Sequence, residues 1–370
     1  MFFERQTMKG ELVPLLKRLI RFKTVDGASD EIKACADWIE AWLVDAGLSV
    51  QRMEKNGVPS IWVTPEPEKS PVLLMAHFDV VAADDALFEP REEDGKLYGR
   101  GSCDDKYAVA LGMIMVRDWV NRLKAQGRSQ ADLPFGILLT GDEEVGGYNG
   151  ACAALKKISC DYCMALDGGS PHKLVVKEKG ILRLTLVAKG KSFHGARPWL
   201  GENAIDTLVD DIVKLRAHFP DRRDDHWNRT VNVGRIEGGS AVNQVPGEAR
   251  AYLDIRFTEE DDIDALMEAL RADLTSEVEV LSVDPLFNGG TGPVTQFLSK
   301  LAGDIEMGFE HGGSDARFLS EHNTPGVVWG AQCNMSLHTE NEHVEIDSIE
   351  HVHGLLNRFF EALDSGELTL

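Results

Sequence analysis

Apolar runs of strand length alternate with segments of helical periodicity along the first half of the chain, and this alternation restricts the fold more than any other feature. Helical patterns cover residues 8–22, 30–47 and 105–124, and strand-like runs cover residues 48–53, 60–64, 72–76, 135–140 and 161–166. Strands that alternate with helices are typical of an α/β domain. The sequence therefore predicts an α/β fold whose mixed, largely parallel sheet is flanked by helices.

The pattern changes near Gly180. From there the strand-like and helical segments follow the order βαββαβ over residues 181–189, 203–219, 231–236, 249–257, 259–274 and 278–283. This order fits a small ferredoxin-like domain. After Gly289-Gly290 the mixed α/β pattern resumes. We therefore predict a discontinuous main domain of residues 1–180 and 293–370, into which a second domain of residues 181–292 is inserted.

Imidazole and carboxylate side chains follow several of the predicted strands. The run 72–76 leads into a histidine, the runs 135–140 and 161–166 lead into acidic residues, and a glycine-rich turn delivers two aspartates at the start of a helical pattern. Open α/β sheets place their sites just beyond the carboxyl ends of strands. A two-zinc hydrolytic site needs histidine and carboxylate ligands. The candidate ligands are His77, Asp104, Glu144, Asp167 and His338.

The neighbours of these ligands suggest further roles. Asp104 is the natural carboxylate bridge between two metal ions, because the glycines before it allow the backbone to approach closely. Asp79 can accept the imidazole N–H of His77 and fix its tautomer. Glu143 is a candidate general base for a metal-bound water, and it can return the proton to a leaving amine. The sequence has no HExxH motif, which argues against a single-zinc site of the thermolysin type.

These motifs together resemble those of the M20 metallopeptidase family, whose members include dinuclear zinc carboxypeptidases, dipeptidases, aminoacylases and deacylases. The family's HxD segment matches His77–Asp79, its GRGxxDDK segment matches Gly99–Lys106, and its glutamate pair matches Glu143-Glu144. The resemblance covers essentially the whole chain. It also implies a cis peptide bond between Asp104 and Asp105.

The resemblance implies a cofactor and a ligand set. It implies two Zn²⁺ ions per subunit, with Co²⁺ or Mn²⁺ as substitutes. By resemblance, one zinc would be held by His77, Asp104 and Asp167. The other would be held by Asp104, Glu144 and His338.

The resemblance extends to the second domain, which would act as a lid and a dimerisation domain. His194 resembles a lid histidine that, in dimeric members, reaches the partner's active site and stabilises the oxyanion. Asn243, Arg256, Gly313 and Ser314 resemble substrate-contacting residues, and a guanidinium suits a substrate carboxylate. The alternatives are that Asn243 only shapes its turn and that Arg256 is a surface strand residue. A homodimer through the lid domain is the assembly that the resemblance implies.

The implied reaction is hydrolysis of an amide or peptide bond next to a free carboxylate. Within the family, aspartate at position 167 goes more with dipeptidases and aminopeptidases, which favours short peptides as substrates. The chain length and the Gly312–Arg317 loop also resemble acetylornithine deacetylase and succinyl-diaminopimelate desuccinylase, so an N-acyl-amino-acid deacylase is the alternative. A non-catalytic binding protein would be expected to lack a ligand or Glu143, and none is missing. A metal-free hydrolase with Cys103 as nucleophile would leave the other ligand-type residues unexplained.

The acidic composition argues against some classes of partner. The formal net charge of -22 argues against nucleic acid or an anionic membrane as a partner. The N-terminus shows no signal peptide, and no run is long enough to span a bilayer.

The six cysteines are scattered and do not resemble a disulfide framework. We therefore expect Cys103 to be a buried inert thiol, and Cys160 and Cys163 to pack within a strand. These features favour a cytoplasmic protein.

Overall fold

A computed structural model of the chain describes residues 8–220 and 222–370. The prediction that no signal peptide is present concerns residues 1–7, which lie outside this range. The chain divides into two compact units. The main unit comprises the described parts of Met1–Lys177, Asn288–Phe309 and Ser314–Leu370, and the inserted unit comprises those of Glu178–Phe287 and Glu310–Gly313. The sequence pattern gave no indication that the short segment Glu310–Gly313 groups with the inserted unit.

The five helices predicted from the sequence begin and end close to their predicted limits. In the described ranges the α-helices, numbered along the chain, are α1 (Met8–Ile20), α2 (Ser29–Asp45), α3 (Lys106–Ala125), α4 (Ala151–Ala154), α5 (Ala204–Ala217), α6 (Ile263–Asp273), α7 (Pro293–Leu301) and α8 (Ile346–Ser365). The first half of α3 is buried on all sides, which is typical of a central helix. None of these helices combines the length and the apolar character needed to cross a membrane.

The described strands are between 2 and 10 residues long, and most of them belong to two sheets. Numbered along the described chain they are β1 (Gln51–Lys55), β2 (Val58–Val63), β3 (Lys69–His77), β4 (Arg91–Glu93), β5 (Lys96–Tyr98), β6 (Phe135–Thr140), β7 (Ser159–Ala165), β8 (Lys173–Glu178), β9 (Gly180–Lys189), β10 (Phe193–His194), β11 (Thr230–Gly238), β12 (Gln244–Val245), β13 (Glu248–Phe257), β14 (Glu277–Asp284), β15 (Phe287–Asn288), β16 (Glu306–Glu310), β17 (Gly326–Val328) and β18 (His343–Glu345).

The sheet of the main unit has a parallel centre. Its strands lie in the order β1-β2-β6-β3-β7-β17-β8-β15, and β16 pairs with β8. The neighbours β6, β3, β7 and β17 are parallel, whereas β1 pairs antiparallel with β2, β2 with β6, and β8 with β17. This arrangement confirms the predicted α/β fold with a mixed sheet. Because parallel strands end at the same edge of a sheet, the residues that follow β3, β6 and β7 are brought together.

The inserted unit contains a four-stranded antiparallel sheet in the order β11-β13-β9-β14. Together with α5 and α6, these strands follow the βαββαβ order along the chain. Alternate residues of β9 and β13 are apolar and pack against both helices, which gives this unit a core of its own. The ferredoxin-like insertion predicted from the sequence is confirmed.

The cysteines depart from the prediction at one pair. Cys103 and Cys333 form a disulfide whose Cα atoms are 5.8 Å apart, so the expectation of a free thiol at Cys103 is wrong. The two residues are separated by 230 positions, and no local spacing pattern could have paired them. Cys160 and Cys163 are free and lie in β7, in agreement with the packing interpretation.

Candidate active site

His77 ends strand β3 and is almost fully buried. Its Nε2 lies 2.9 Å from Oδ1 of Asp104 and 3.9 Å from Oδ2 of Asp167. On the other side of the ring, Nδ1 lies 3.1 Å from the main-chain oxygen of Asp79 and 3.4 Å from its Oδ1. Since Asp79 offers only acceptors to Nδ1, the tautomer protonated at Nδ1 is favoured. That tautomer directs the Nε2 lone pair towards Asp104 and Asp167.

Asp104 follows the glycine-rich turn before α3, and its peptide bond to Asp105 is cis, as predicted. Its Oδ1 faces His77, and its Oδ2 lies 2.9 Å from Nε2 of His338. A single carboxylate therefore stands between two imidazoles. This is the position that a bridging ligand between two metal ions requires.

Glu143 and Glu144 follow strand β6 in a single 3₁₀ turn. Their main-chain N–H groups donate to the two carboxylate oxygens of Asp79, over 3.1 and 2.9 Å. The Oε1 atom of Glu144 lies 3.3 Å from Nε2 of His338, whereas Oε1 of Glu143 lies 3.4 Å from Nη1 of the buried Arg317. Asp79 thus orients the backbone of both glutamates, and their side chains meet different partners.

Two groups of side chains have the composition and spacing of metal ligands. The first consists of His77, Asp104 and Asp167, and the second of Asp104, Glu144 and His338. Within each group the ligand atoms all lie within 4.8 Å of one another. One imidazole and two carboxylates form a donor set that suits Zn²⁺ and also Mn²⁺. The residues therefore fit a pair of divalent cations that share Asp104.

The electrostatics of the site point the same way, because several carboxylates are buried close together. Burial and the charge of Asp104 raise the pKa of Asp167 to about 6. Burial and Asp315 raise the pKa of Glu143 well above its usual range. Hydrogen bonds to Asp104 and to Glu144 raise the pKa of His338 to about 10. Bound cations would relieve this excess of negative charge.

Comparison with known proteins agrees with this geometry. A family model described as peptidase family M20/M25/M40 matches residues 73–362, which is most of the chain and includes every candidate ligand. The chain belongs to peptidase family M20/M25/M40. The predicted resemblance is thereby confirmed, and the protein is a metal-dependent hydrolytic enzyme.

Relatives of this M20 family member carry names of both deacylases and peptidases. It is 28% identical over 380 residues to a succinyl-diaminopimelate desuccinylase of Thiobacillus denitrificans, covering 95% of this chain and 93% of the relative. Its fold is similar to that of a tripeptidase from Staphylococcus aureus, with a TM-score of 0.77, 20% identity, and coverage of 96% of this chain and 99% of that one. It is also similar to an M20 family metallo-carboxypeptidase from Sulfolobus solfataricus, with a TM-score of 0.77, 16% identity, and coverage of 96% and 99%.

Three of the residues predicted to contact the substrate, His194, Asn243 and Arg256, lie in or beside strands β10, β12 and β13 of the inserted unit. His194, on β10, is exposed, and β10 pairs with β12. The main-chain N–H of Gly195 donates to the main-chain oxygen of Asn243 over 2.7 Å, so His194 and Asn243 lie close together. Arg256 lies on β13, where its Nε donates to Oδ1 of Asp254 over 2.6 Å. The substrate roles of these residues stay predictions.

Gly313, which groups with the inserted unit, and Ser314, which groups with the main unit, precede a 3₁₀ helix. The Oγ of Ser314 caps that helix by accepting the N–H of Ala316 over 3.2 Å. The main-chain oxygen of Ser314 accepts a hydrogen bond from Nη1 of Arg317 over 2.8 Å. This part of the loop therefore has a visible structural role in placing Arg317 beside Glu143.

One buried residue at the site, Glu342, is not among those predicted from the sequence. Its carboxylate is fully buried and accepts hydrogen bonds from the main chain of the turn that carries Asp104. Glu342 follows His338 by four positions, but its partners are about 240 residues away in the chain. A single sequence offers no local signal for such a contact.

Proposed function

We propose that this protein is a two-zinc hydrolase that cleaves the amide bond next to a free carboxylate in short peptides. The observation that carries the proposal is Asp104, whose two oxygens lie 2.9 Å from the Nε2 atoms of His77 and His338. One zinc would be held by His77, Asp104 and Asp167. The other would be held by Asp104, Glu144 and His338. Co²⁺ or Mn²⁺ would serve as substitutes, since the donor set suits them as well.

The residues around the ligands would carry out the proton transfers. Bound zinc would polarise the scissile carbonyl and lower the pKa of a coordinated water to about 7. Glu143 would accept the proton of this water and return it to the leaving amine. Glu143 suits this role because it lies beside the ligand Glu144 and belongs to neither donor group of the described chain. Asp79 would keep both glutamates and His77 in orientation through its hydrogen bonds.

The inserted unit would complete the site as a lid and dimerisation domain. His194 would donate a hydrogen bond to the carbonyl oxygen as negative charge develops on it, acting on the active site of the partner subunit in a homodimer. Asn243, Arg256, Gly313 and Ser314 would contact the substrate, and the guanidinium would bind its free carboxylate. Lid closure would exclude bulk water from the site and bring Asn243 and Arg256 to the substrate carboxylate.

An N-acyl-amino-acid deacylase is the second candidate function. The similarity to a desuccinylase along nearly the whole chain favours it, whereas Asp167 favours the peptidase. Both activities hydrolyse an amide bond beside a free carboxylate and need the same ligands. We also propose a cytoplasmic location. The four free cysteines favour it, whereas the Cys103–Cys333 disulfide counts against it, because such bonds are rare in cytosolic proteins.

A substrate panel tests the proposal and separates the two candidates. The zinc-loaded enzyme would be assayed, with and without a chelator, on dipeptides, tripeptides, N-acetyl-amino acids and N-succinyl-amino acids. We expect turnover of peptides, its loss on chelation, and its recovery when zinc is restored. C-terminally amidated versions of the same peptides are the matched control, because they lack the free carboxylate and should react poorly.

Each unexpected result of this panel has a definite meaning. Acyl release with peptides untouched would replace the peptidase by the deacylase. Equal turnover of amidated and free peptides would contradict the requirement for a free carboxylate. Turnover that survives complete removal of the metal would contradict the two-zinc mechanism itself.

A further inference from the structure

Glu342 is a fully buried carboxylate that holds the turn before the bridging aspartate. Its Oε1 accepts the main-chain N–H groups of Gly101, Cys103 and Asp104 over 2.8, 3.2 and 3.3 Å. Its Oε2 accepts a hydrogen bond from Nη1 of Arg100, which is also buried. Both carboxylate oxygens are therefore occupied, and every donor comes from the same short turn.

The backbone around Glu342 is tied to the same turn. Glu342 precedes strand β18, which pairs with β5, and the register places His343 opposite Tyr98. Beyond that pair, the N–H of Gly99 donates to the main-chain oxygen of Glu342 over 3.1 Å. The main chain of Glu342 is therefore bound to Gly99, and its side chain is bound to the following residues as far as Asp104. These two sets of contacts fix the position of Glu342.

The hydrogen bonds of Glu342 do more than fill space in the core, because they fix the position of Asp104. A buried carboxylate is costly unless it is paired and hydrogen-bonded, and here it is both. Hydrogen bonds that main-chain N–H groups donate to an ionised acceptor are about twice as strong as neutral ones. The N–H of Asp104 is one of these donors, so its Cα and the direction of its side chain depend on Glu342. A shared ligand that shifts disturbs both metal positions at once.

We propose that Glu342 is a positioning residue of the metal centre, which holds Asp104 where both donor groups can share it and so sets the affinity for the metal pair. The proposal rests on the two-metal site of the proposed function. Glu342 itself belongs to neither donor group of the described chain. It acts through the turn, as residues that support metal ligands do in other sites.

Zinc affinity of purified variants tests this inference without measuring turnover. Glu342→Gln keeps the shape and one acceptor oxygen but removes the charge, and Glu342→Ala removes the acceptor altogether. Zinc would be titrated into each metal-free protein against a chromophoric chelator, in non-reducing buffer and well below the unfolding temperature. We expect affinity to fall by about 10- to 100-fold, the usual effect of losing a residue that supports a ligand, with the Ala variant the more affected.

A buried carboxylate elsewhere in the chain supplies the matched control. Asp211 is fully buried and accepts the main-chain N–H groups of Thr275 and Ser276 over 3.0 and 2.6 Å, within the inserted unit. We expect Asp211→Asn to lower the unfolding temperature of the metal-free protein, as Glu342→Gln does, and to leave zinc affinity unchanged.

The possible results separate this inference from the proposed function. Wild-type zinc affinity in folded Glu342→Gln overturns it, and so does an equal loss of affinity in Asp211→Asn. If Glu342→Ala does not fold, Glu342→Gln decides alone. Wild-type protein that binds no pair of zinc ions overturns both proposals, whereas a zinc-binding wild type with unaffected variants overturns only this one.

Discussion

At the scale of single residues, the adjacent Glu143 and Glu144 share one backbone partner but have different side-chain partners. Asp79 accepts the N–H groups of both Glu143 and Glu144, so their backbones are held alike. Their carboxylates diverge, because Glu144 lies near His338 and Glu143 lies near Arg317. Only Glu144 belongs to a donor group among the residues that the structure describes. The geometry therefore predicts different roles for them, which substitution can separate.

Replacing Glu143 by glutamine should separate proton transfer from metal binding. Glu143→Gln keeps the size and the contact with Arg317 but cannot accept a proton, so we expect kcat to fall by about 10²- to 10⁴-fold. Zinc content, measured by atomic absorption, should stay at the wild-type level. Glu144→Gln is the matched control, and it should lose zinc as well as activity. Loss of zinc in Glu143→Gln would show that Glu143 is a ligand and would contradict its role as the base.

At the scale of elements, the glycine-rich turn between β5 and α3 determines where the carboxylate of Asp104 lies. Gly101 has a φ of +81°, and a Cβ atom at this position would come within 2.7 Å of Cγ1 of Val80 and 2.9 Å of Cδ of Lys106. The turn therefore needs glycine both for its backbone conformation and for the space it leaves. Cys103, in the same turn, is bonded to Cys333. Backbone conformation, packing and a covalent link all act on the segment that carries Asp104.

Gly101→Ala should therefore destabilise the protein more than an ordinary glycine replacement. Gly127 is the matched control, since its φ is +75° and no heavy atom would lie within 4 Å of an added Cβ. We expect Gly127→Ala to lower the free energy of unfolding by about 1–2 kcal/mol through its φ alone. Gly101→Ala should lose a further amount of about 1–3 kcal/mol through overpacking. Urea unfolding of the metal-free proteins measures both, and equal losses would contradict a packing role for Gly101.

The elements also show what a single sequence can predict. The periodicity of α3 and the apolar runs of β3, β6 and β7 depend on local sequence, so both the strands and the candidate ligands at their ends were predictable. Contacts between distant segments of the chain were not predictable from the sequence. The disulfide of Cys103 and Cys333 and the hydrogen bond between Glu342 and Asp104 each join residues more than 200 positions apart. Only the folded sheet brings these partners together.

At the scale of the whole molecule, the inserted unit carries apolar side chains that do not pack into its core and are exposed to solvent. Val209 and Val213 lie one helical turn apart on α5, with exposed fractions of 52% and 67%. Ile236 is also exposed and lies on β11, an edge strand of the antiparallel sheet. An exposed helix face beside an open sheet edge is the kind of surface that pairs around a two-fold axis. We expect a second copy of the chain to cover it.

Charged substitutions on α5 should therefore convert a dimer into monomers. A lysine at Val213 would bury an unpaired charge in the expected interface, which is strongly unfavourable. Val44→Lys is the matched control, because Val44 is 53% exposed on α2 of the main unit. Sedimentation velocity should show a dimer for the wild type and for Val44→Lys, and a monomer for Val213→Lys. If His194 acts on the partner's active site, the monomer should keep its zinc and lose most of its activity. A monomeric wild type would contradict the assembly, and a fully active monomeric variant would contradict the role of His194 across subunits.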